Sequence, residues 1–341
     1  MRGRLLRLGI TAVACLWIVH LVDLRQLAAA VRQTNRWGLG AACLLYLLAL
    51  LACCVRWYLL LAPTHPQPFR QVLRWFLIGA FFNTLLPTTI GGDVVRIQKA
   101  GHAIGSWSQA AATVLLDRVS GFVAMFSIGA TATLIALPRI HDPVILQGVL
   151  GLAGLFTLLL GCLVSPRLLR WMIAPLGWLR LHRLHAAVQE FQTLLHAYGR
   201  HPRALGLALG CSFIAQGAGM WLYWVVARAM GIPLPLWATF VFVPILMMIA
   251  VLPISLNGLG VREGAAIVLF GSLGIPNAEA LGLSLVCAAI PGLSGLWGAV
   301  VFLRDRAHPP AAVRASAARA TSRYRTARRW SPGVRRSPSP R

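Results

Sequence analysis

Long apolar runs joined by short polar or basic links dominate the chain. Six of these runs are near or above the roughly 20 residues that an α-helix needs to cross a bilayer. The first could be read as a signal peptide, but its apolar run continues past Cys15, so we expect it to be retained as a helix. The predicted full spans are Leu5–Val22, Trp37–Leu61, Gln109–Leu137, Val144–Val164, Ala204–Met230 and Ala278–Leu303.

Two further apolar stretches are too short to cross. Each would form about 24 Å of helix, against a hydrocarbon core of about 30 Å. Each stops at a proline, Pro87 or Pro253, which disfavours helix in the residue before it. A second short stretch follows each of them, so we expect two re-entrant hairpins of half-helices. The paired stretches are Gln71–Leu86 with Gly92–Ala103, and Trp237–Leu252 with Gly260–Leu273.

The links after the two prolines repeat one sequence frame. Leu86–Arg96 aligns without a gap on Leu252–Arg262, as Leu-Pro-x-[Ser/Thr]-[Ile/Leu]-x-Gly-x-x-Val-Arg. Because three full spans separate the hairpins, they would enter from opposite membrane faces, as in the inverted repeats of many transporters. The predicted fold is an all-α polytopic membrane protein with about six full spans and two re-entrant half-helix hairpins related as an inverted repeat.

Composition and charge agree with this fold. Of the 341 residues only 12% are charged, whereas a soluble domain averages about 25%. The formal net charge is +24, and the positive-inside rule puts both termini and the basic segment Ser165–Arg203 in the cytoplasm. The link Asp23–Arg36 is predicted to be external although it is basic, an exception that the rule does not explain.

Two regions of different composition are expected. Residues 1–306 form the transmembrane domain, in which 165–203 has apolar residues at helical spacing and is predicted to be a cytoplasmic amphipathic segment. The Arg/Ser/Pro-rich stretch 307–341 has little apolar content and is predicted to be disordered. Its charge suits anionic lipid, and no folded module for specific nucleic-acid binding is evident.

Each repeat carries one acid and one arginine inside an apolar stretch. A charge at the bilayer centre costs at least about 2.5–3.5 kcal/mol, so these residues are candidate functional groups. Half-helices that begin near the glycines would present free N–H groups, and arginines suit phosphate. The predicted headgroup-binding residues are Thr88, Thr89, Gly91, Gly92, Asp93, Arg96, Ser255, Asn257, Gly258, Gly260, Arg262 and Glu263. Supporting residues around them are Asn83, Pro87, Lys99, Asp117, Arg118 and Pro253.

Two interpretations of these charges are open. In the functional one, Arg96 and Arg262 face a single polar cavity between the hairpins and contact a lipid phosphate. In the structural one, the charges neutralise each other across the two copies, with Asp93 pairing with Arg262 and Glu263 with Arg96. For Asp117 and Arg118 as well, a structural pair and a cavity wall are both possible.

Other chemistries find little support in the sequence. The seven cysteines lie in apolar runs without a C-x-x-C spacing and are interpreted as packing residues. His182 and His185 have no suitable companion ligands, and "GLGVREG" lacks the βαβ context of a dinucleotide loop. We therefore predict no metal, no cofactor and no catalytic residue.

Three segments carry a resemblance to a known family. The stretches "NTLLPTTIGGDVVRIQKA", "SQAAATVLLDRVSG" and "PISLNGLGVREGAAIVLFGSLGI" resemble the transmembrane domain of the lysylphosphatidylglycerol synthases, a flippase-like family of integral membrane proteins. In the two-part bacterial enzymes this domain precedes a soluble aminoacyl-transferase domain and is credited with flipping the lysyl-lipid. Nothing soluble follows Leu303 except the basic tail, so the resemblance implies the flipping part without lysyl transfer.

The function expected from residues and resemblance together is lipid translocation in a bacterial inner membrane, with no enzymatic activity. The lipid would be anionic, aminoacylated or linked to polyprenyl phosphate. The alternative is a non-catalytic scaffold that presents a lipid carrier to a separate synthase or glycosyltransferase. Aminoacyl transfer by this chain itself is the least favoured function, because no domain for ATP, tRNA or acyl transfer is evident.

Overall fold

The computed structural model describes residues 34–85, 91–139, 201–251 and 258–307, together with a few positions between 147 and 158. Within these ranges all regular structure is helical, which confirms the predicted all-α class. Several predictions lie wholly or mostly outside the described residues: the spans Leu5–Val22 and Val144–Val164, the amphipathic segment 165–203 and the tail after Ala307. The last two residues of 165–203 belong to the helix Pro202–Ala229.

The described part of the chain contains eight α-helices and a 3-10 turn, Leu137–Arg139. Four of the helices, α1, α4, α5 and α8, are long and apolar enough to cross a membrane, and each matches a predicted span within a few residues. The helices are α1 (Arg36–Leu61), α2 (Phe69–Leu85), α3 (Gly91–Ile104), α4 (Trp107–Ala136), α5 (Pro202–Ala229), α6 (Leu236–Val251), α7 (Val261–Gly271) and α8 (Asn277–Ala307).

Local sequence explains where the long helices begin. The side chain of Asn35 accepts a hydrogen bond from Trp37 N and caps α1, and Ser106 caps α4 in the same way through Gln109 N. Proline occupies the first position of α5, where its missing N–H leaves no hydrogen bond unmade. After α5, Gly231 takes a positive φ of 76° and turns the chain towards α6.

The relative directions of α1, α4 and α5 follow from their contacts. At one end of the bundle, called here the Asn35 end, Asn35 N donates to Ala229 O at 2.9 Å. Towards the opposite end, called the Leu61 end, Arg56 on α1 contacts both Ser212 on α5 and Asp117 on α4. Helix α1 therefore lies antiparallel to α5, and α4 lies parallel to α5.

The first pair of short helices, α2 and α3, returns to the Leu61 end. Near the turn, Gly92 lies against Gly79, and its N–H bonds to the side chain of Asn83. At the open end of the pair, Val72 of α2 and Ala100 of α3 share one hydrophobic cluster with Leu61. The two helices thus fold back on each other as the predicted hairpin.

The second pair, α6 and α7, returns to the Asn35 end. Gly258 lies against Ala250 near the turn, and the rings of Phe242 and Phe270 are 6.3 Å apart further along. Ile232, which follows α5 directly, belongs to the same hydrophobic cluster as these two phenylalanines. The two pairs therefore return to opposite ends of the bundle, as the inverted repeat requires. Their insertion from opposite membrane faces stays a prediction.

Helix α8 reaches α2 through two glycines. A Cβ atom added at Gly298 would lie 2.2 Å from Leu77 O and 2.7 Å from Phe81 Cβ, and one at Gly295 would lie 2.9 Å from Thr84 Oγ1. Small residues allow such close helix contacts inside membranes, where van der Waals packing drives association. The chain divides into two units, Met1–Gly298 and Ala299–Arg341, and this contact lies within the first.

Gly298→Ala should lower stability, because the new methyl group would overlap the α2 backbone. We expect a loss of about 1–3 kcal/mol, typical of overpacked interiors, measured as a lower midpoint of thermal unfolding in detergent. The control is Gly292→Ala on the same helix, where an added Cβ meets no atom within 4 Å. Equal midpoints for the two variants would contradict the close contact between α8 and α2.

Candidate functional site

A chain of ion pairs joins α1, α3 and α4 towards the Leu61 end of the bundle. Asp117 accepts from Arg56 Nε at 2.6 Å and from Arg96 Nη2 at 2.9 Å. Asp93 accepts from Arg96 Nη1 at 3.4 Å and from Arg118 Nε at 2.8 Å. These residues, Arg56, Asp93, Arg96, Asp117 and Arg118, are called here the five-charge network.

Exposure differs sharply along this network. The side chains of Arg96 and Asp117 are 6% and 2% exposed, whereas that of Arg118 is 37% exposed. The guanidinium of Arg96 stacks on Trp57 at 4.1 Å and on Phe76 at 4.8 Å, and its buried Nε has no hydrogen-bond partner. The network is therefore deeply buried at Arg96 and opens to the surroundings at Arg118.

Glycines on two helices make room for Arg96. Asp93 and Arg96 lie one turn apart on the same face of α3. A Cβ at Gly79 on α2 would lie 2.7 Å from Arg96 Cγ, and one at Gly92 would lie 2.0 Å from Gly79 O. Replacing either glycine with a larger residue would push α2 away from α3, so the two glycines fix the position of the arginine.

A second, smaller charged centre lies at the start of α7. Arg262 Nε donates to Glu263 Oε1 at 3.1 Å, and Glu263 Oε2 accepts from Gly260 N at 2.7 Å. The Glu263 side chain is 3% exposed. Tyr223 of α5 and Cys287 of α8 are buried within electrostatic range of the Arg262 guanidinium. Arg262, Glu263, Tyr223 and Cys287 are called here the Arg262 centre.

The two copies of the repeated frame have different local structures. Arg96 is the sixth residue of α3, but its counterpart Arg262 is the second residue of α7. The difference arises at the glycines: Gly92 is helical, while Gly258 and Gly260 have φ values of 75° and 81°. Because only glycine adopts this conformation readily, the second helix starts later.

The N–H groups at the two helix starts are not all free, contrary to expectation. Gly92 N donates to Asn83 Oδ1 at 2.7 Å, so a residue of α2 caps α3. Gly260 N donates to Glu263, so a residue of α7 caps its own helix. In both copies a side chain therefore accepts a hydrogen bond from a backbone N–H that was expected to be free for a ligand.

Helix α5 shows how far apart the two centres lie. Ser212 accepts from Arg56 Nη1 at 3.2 Å, and Tyr223 lies within electrostatic range of Arg262. Ser212 and Tyr223 are 11 positions apart on one helix, which corresponds to about 16 Å along its axis. The middle of α5 falls between them. A single cavity shared by Arg96 and Arg262 stays a prediction, and these contacts favour two separate centres.

The structural interpretation predicted ion pairs across the two copies, Asp93 with Arg262 and Glu263 with Arg96. This prediction is wrong for the described residues. Asp93 pairs with Arg96 and Arg118, and Glu263 pairs with its neighbour Arg262. Local partners are within reach: Arg96 lies one turn from Asp93, and Arg262 is adjacent to Glu263. Asp117 and Arg118 do form ion pairs within the bundle, each with a residue of another helix.

Some site predictions cannot be placed, and some site residues were missed. Lys99 lies on α3 and is partly exposed. Sequence reasoning missed Arg56, although a lone arginine inside the apolar run of α1 is itself a signal. It also missed Ser212 and Tyr223, which carry no comparable signal. Pro87, Thr88, Thr89, Pro253, Ser255 and Asn257 lie outside the described residues.

Apolar clefts lie beside α4, away from both charged centres. One of about 780 Å³ lies between α4, α5 and α6 and includes Phe213 and Trp237. A second of about 170 Å³ lies around Gly129 and Pro244. Charged side chains line neither cleft. No group of histidine, cysteine and acidic residues that could hold a metal ion occurs in the described part of the chain.

Fold and site define a polytopic membrane protein with two folded-back helix pairs and buried arginines. The chain matches the family described as "Lysylphosphatidylglycerol synthase TM region" over residues 4–298, and it belongs to this family. It is also similar to the "UPF0104 membrane protein PH1989" of Pyrococcus horikoshii, with 25% identity over 294 residues that cover 78% of this chain and 86% of that protein. The resemblance inferred from the three sequence segments is thus confirmed.

Asp117→Asn should be strongly destabilising, because it leaves Arg56 and Arg96 buried without a full counter-charge. Removing one partner of a buried ion pair costs about 3–5 kcal/mol, which should appear as poor folding yield and a lower unfolding midpoint in detergent. The control is Glu279→Gln in the first turn of α8, where the expected loss is about 0.3–1 kcal/mol. Similar losses in both variants would show that the network contributes little to folding.

Proposed function

We propose that this chain is a lipid translocase that moves a lipid with a phosphate-containing headgroup across the membrane. The lipid would be anionic, aminoacylated or linked to polyprenyl phosphate, and the membrane would be a bacterial inner membrane with both chain termini in the cytoplasm. Membership of the family supports a role in the membrane. The translocase activity itself is our inference from the charged centres.

The observation that carries the proposal is the position of the two arginine centres along α5. One is hydrogen-bonded to Ser212, and the other is within electrostatic range of Tyr223; these two residues lie on either side of the middle of the helix. A headgroup that crosses an apolar core needs polar contacts at more than one depth, since each unpaired charge there is expensive. Two separate centres would divide the crossing into shorter steps.

The large apolar cleft beside α4 supports the same proposal. It is open and lined by apolar side chains such as Ile135, Phe213 and Trp237. The hydroxyl groups of Ser127 and Thr131, which also line it, donate to carbonyls of their own helix. The cleft is therefore suited to the acyl chains of a lipid.

The proposal assigns no aminoacyl transfer to this chain. The charged residues of the two centres are arginines and carboxylates held in ion pairs. Such groups can bind a headgroup electrostatically, and we expect them to carry no covalent chemistry.

The alternative is a membrane scaffold that presents a lipid to a separate lipid-modifying enzyme. The internal pairing of the five-charge network favours it, because four ion pairs hold the network in one arrangement. A scaffold would bind lipid without moving it. Binding and movement must therefore be measured separately.

The decisive experiment reconstitutes the purified chain in liposomes with fluorescent phosphatidylglycerol, aminoacylated phosphatidylglycerol or polyprenyl phosphate. A membrane-impermeant quencher then reports how much labelled lipid changes leaflet over time. Faster movement of one lipid class than in protein-free liposomes supports the translocase. Binding of the same lipids without any movement would exclude the translocase and leave the scaffold.

Arg262→Lys should slow translocation by about tenfold, because the lysine keeps the charge and loses the planar pair of donors. The rate in the liposome assay is the measurement, and expression should be near normal. Arg228→Lys is the control, since Arg228 lies on α5 near its end and stacks on Trp224 away from both centres. Equal rates for the two variants would remove Arg262 from the proposal.

Topology gives an independent prediction. A single cysteine at Gly231, in the turn between α5 and α6, should react with an impermeant thiol reagent added outside intact cells. A single cysteine at Ser331 should react only after the cells are opened, because the positive-inside rule keeps the basic tail in the cytoplasm. Labelling of both from the same side would contradict the predicted orientation.

A further inference from the structure

Helix α6 contains a proline in its interior. Pro244 lies near the middle of the 16 residues of this helix. A proline has no N–H, so Pro244 cannot donate to the carbonyl oxygen of Phe240, four residues earlier. Prolines are among the few causes of sharp bends in helices. Helix α6 is therefore easiest to bend at this point.

A glycine of α4 lies directly against the proline. A Cβ atom added at Gly129 would lie 3.2 Å from Pro244 Cγ and 4.0 Å from Phe240 O. The backbone of α4 thus lies beside both the proline ring and the carbonyl to which the proline cannot donate. A larger residue at position 129 would press on the ring. The contact between Gly129 and Pro244 is called here the α6 hinge.

Apolar clefts adjoin both halves of α6. The cleft of about 170 Å³ around the α6 hinge extends to Ile245, the first residue after the proline. The cleft of about 780 Å³ lies beside the preceding half, at Trp237 and Phe240. Close packing on all sides would resist a change in the direction of a helix. The two clefts leave α6 room for such a change.

The two halves of α6 are packed differently. In the half before the hinge, the side chains of 241–243 are at most 2% exposed. In the half after it, residues 245–251, only Leu246 is buried. Met247 and Met248 are partly buried there, and methionine side chains adapt readily to changed surroundings. The first half is therefore the fixed part of the helix, and the second half is the part that can move.

The second half of α6 is in contact with the start of α7. A Cβ atom added at Gly258 would lie 2.8 Å from the Cα atom of Ala250, close to the end of α6. Gly260 follows two residues later, and its N–H binds Glu263, which in turn binds Arg262. A displacement of the second half of α6 would therefore be passed on to the Arg262 centre.

We propose that α6 bends at Pro244, turning on Gly129, and that this bend changes the position of the Arg262 centre relative to α5. The bend is a property of the fold, and its use in lipid transport rests on the proposed function. Val251 lies seven positions beyond Pro244, which corresponds to about 10 Å of helix. A change of about 20° in the bend would displace Val251 by about 4 Å.

The test measures distances within the full chain in liposomes by pulsed electron paramagnetic resonance. Spin labels are attached to a non-canonical amino acid, so that the native cysteines stay in place. The test pair is Val251, after the hinge, with Leu207 on α5, and the reference pair is Leu236, before the hinge, with Leu207. These three side chains are 38%, 61% and 39% exposed.

In the wild-type protein the distance distribution of the test pair should be broader than that of the reference pair by about 4 Å, the displacement expected from the bend. It can also have two maxima separated by this distance. Distributions of equal width for the two pairs, each with one maximum, would overturn the proposal.

Pro244→Ala should narrow the test pair to the width of the reference pair, because alanine restores the N–H that binds Phe240 O. The reference pair should not change. A test pair that keeps its wild-type distribution in this variant would overturn the proposal.

Gly129→Ala gives an independent test from the other side of the hinge. The new methyl group should press on the ring of Pro244 and narrow or shift the distribution of the test pair alone. A general loss of structure would instead broaden both pairs. In a Pro244→Ala background the ring is absent, so Gly129→Ala should have no further effect. The control is Gly217→Ala on α5, where an added Cβ meets no atom within 4 Å and neither pair should change.

The outcomes separate this inference from the translocase proposal. If Pro244→Ala abolishes the bend and leaves the rate of lipid movement unchanged, the hinge is supported and its use in translocation is excluded. If the wild-type protein bends but moves no lipid, only the translocase is excluded. If it moves lipid while the test pair is as narrow as the reference pair, the translocase is supported and the hinge is overturned.

Discussion

The structure depends on how charge is kept inside an apolar interior. Asp117 neutralises arginines from two other helices, α1 and α3, and no residue of the network lies on a fully exposed surface. In a medium of low dielectric constant each of these charges would be prohibitively unfavourable alone. The helices that supply them must therefore come together, and the ion pairs specify which helix faces are in contact.

Much of the architecture could be predicted from the chain because hydrophobic runs, prolines and glycines act locally. The spans that became α1, α4, α5 and α8, and the four short helices of the two pairs, lie within a few residues of their predicted positions. The partners of the charged residues could not be predicted in this way. Ion pairs depend on side-chain contacts between distant segments, and Arg56 and Asp117, which are 61 positions apart, give no local signal of their contact.

The repeated frame shows a further limit of sequence reasoning. Identical spacing of Leu-Pro, glycine and Val-Arg predicts equivalent positions for Arg96 and Arg262, yet the two arginines fall on different turns of their helices. The cause is the residue pair after the aligned glycine: Gly92 is followed by Asp93, whereas Gly258 is followed by Leu259 and then a second turn glycine, Gly260. The arginine of the first copy takes part in ion pairs between three helices, whereas that of the second pairs with its neighbour on the same helix. Small sequence differences between the copies are enough to produce these two arrangements.

The way in which α3 and α7 are capped has a mechanical consequence. The N–H of Gly92 at the start of α3 binds Asn83 of α2, so a shift of α3 relative to α2 would break this cap and disturb Arg96. Helix α7 carries its own cap in Glu263, and Arg262 moves with it. A displacement of α7 would therefore leave these hydrogen bonds intact. The cap of α3 thus ties it to α2, whereas the cap of α7 belongs to α7 itself.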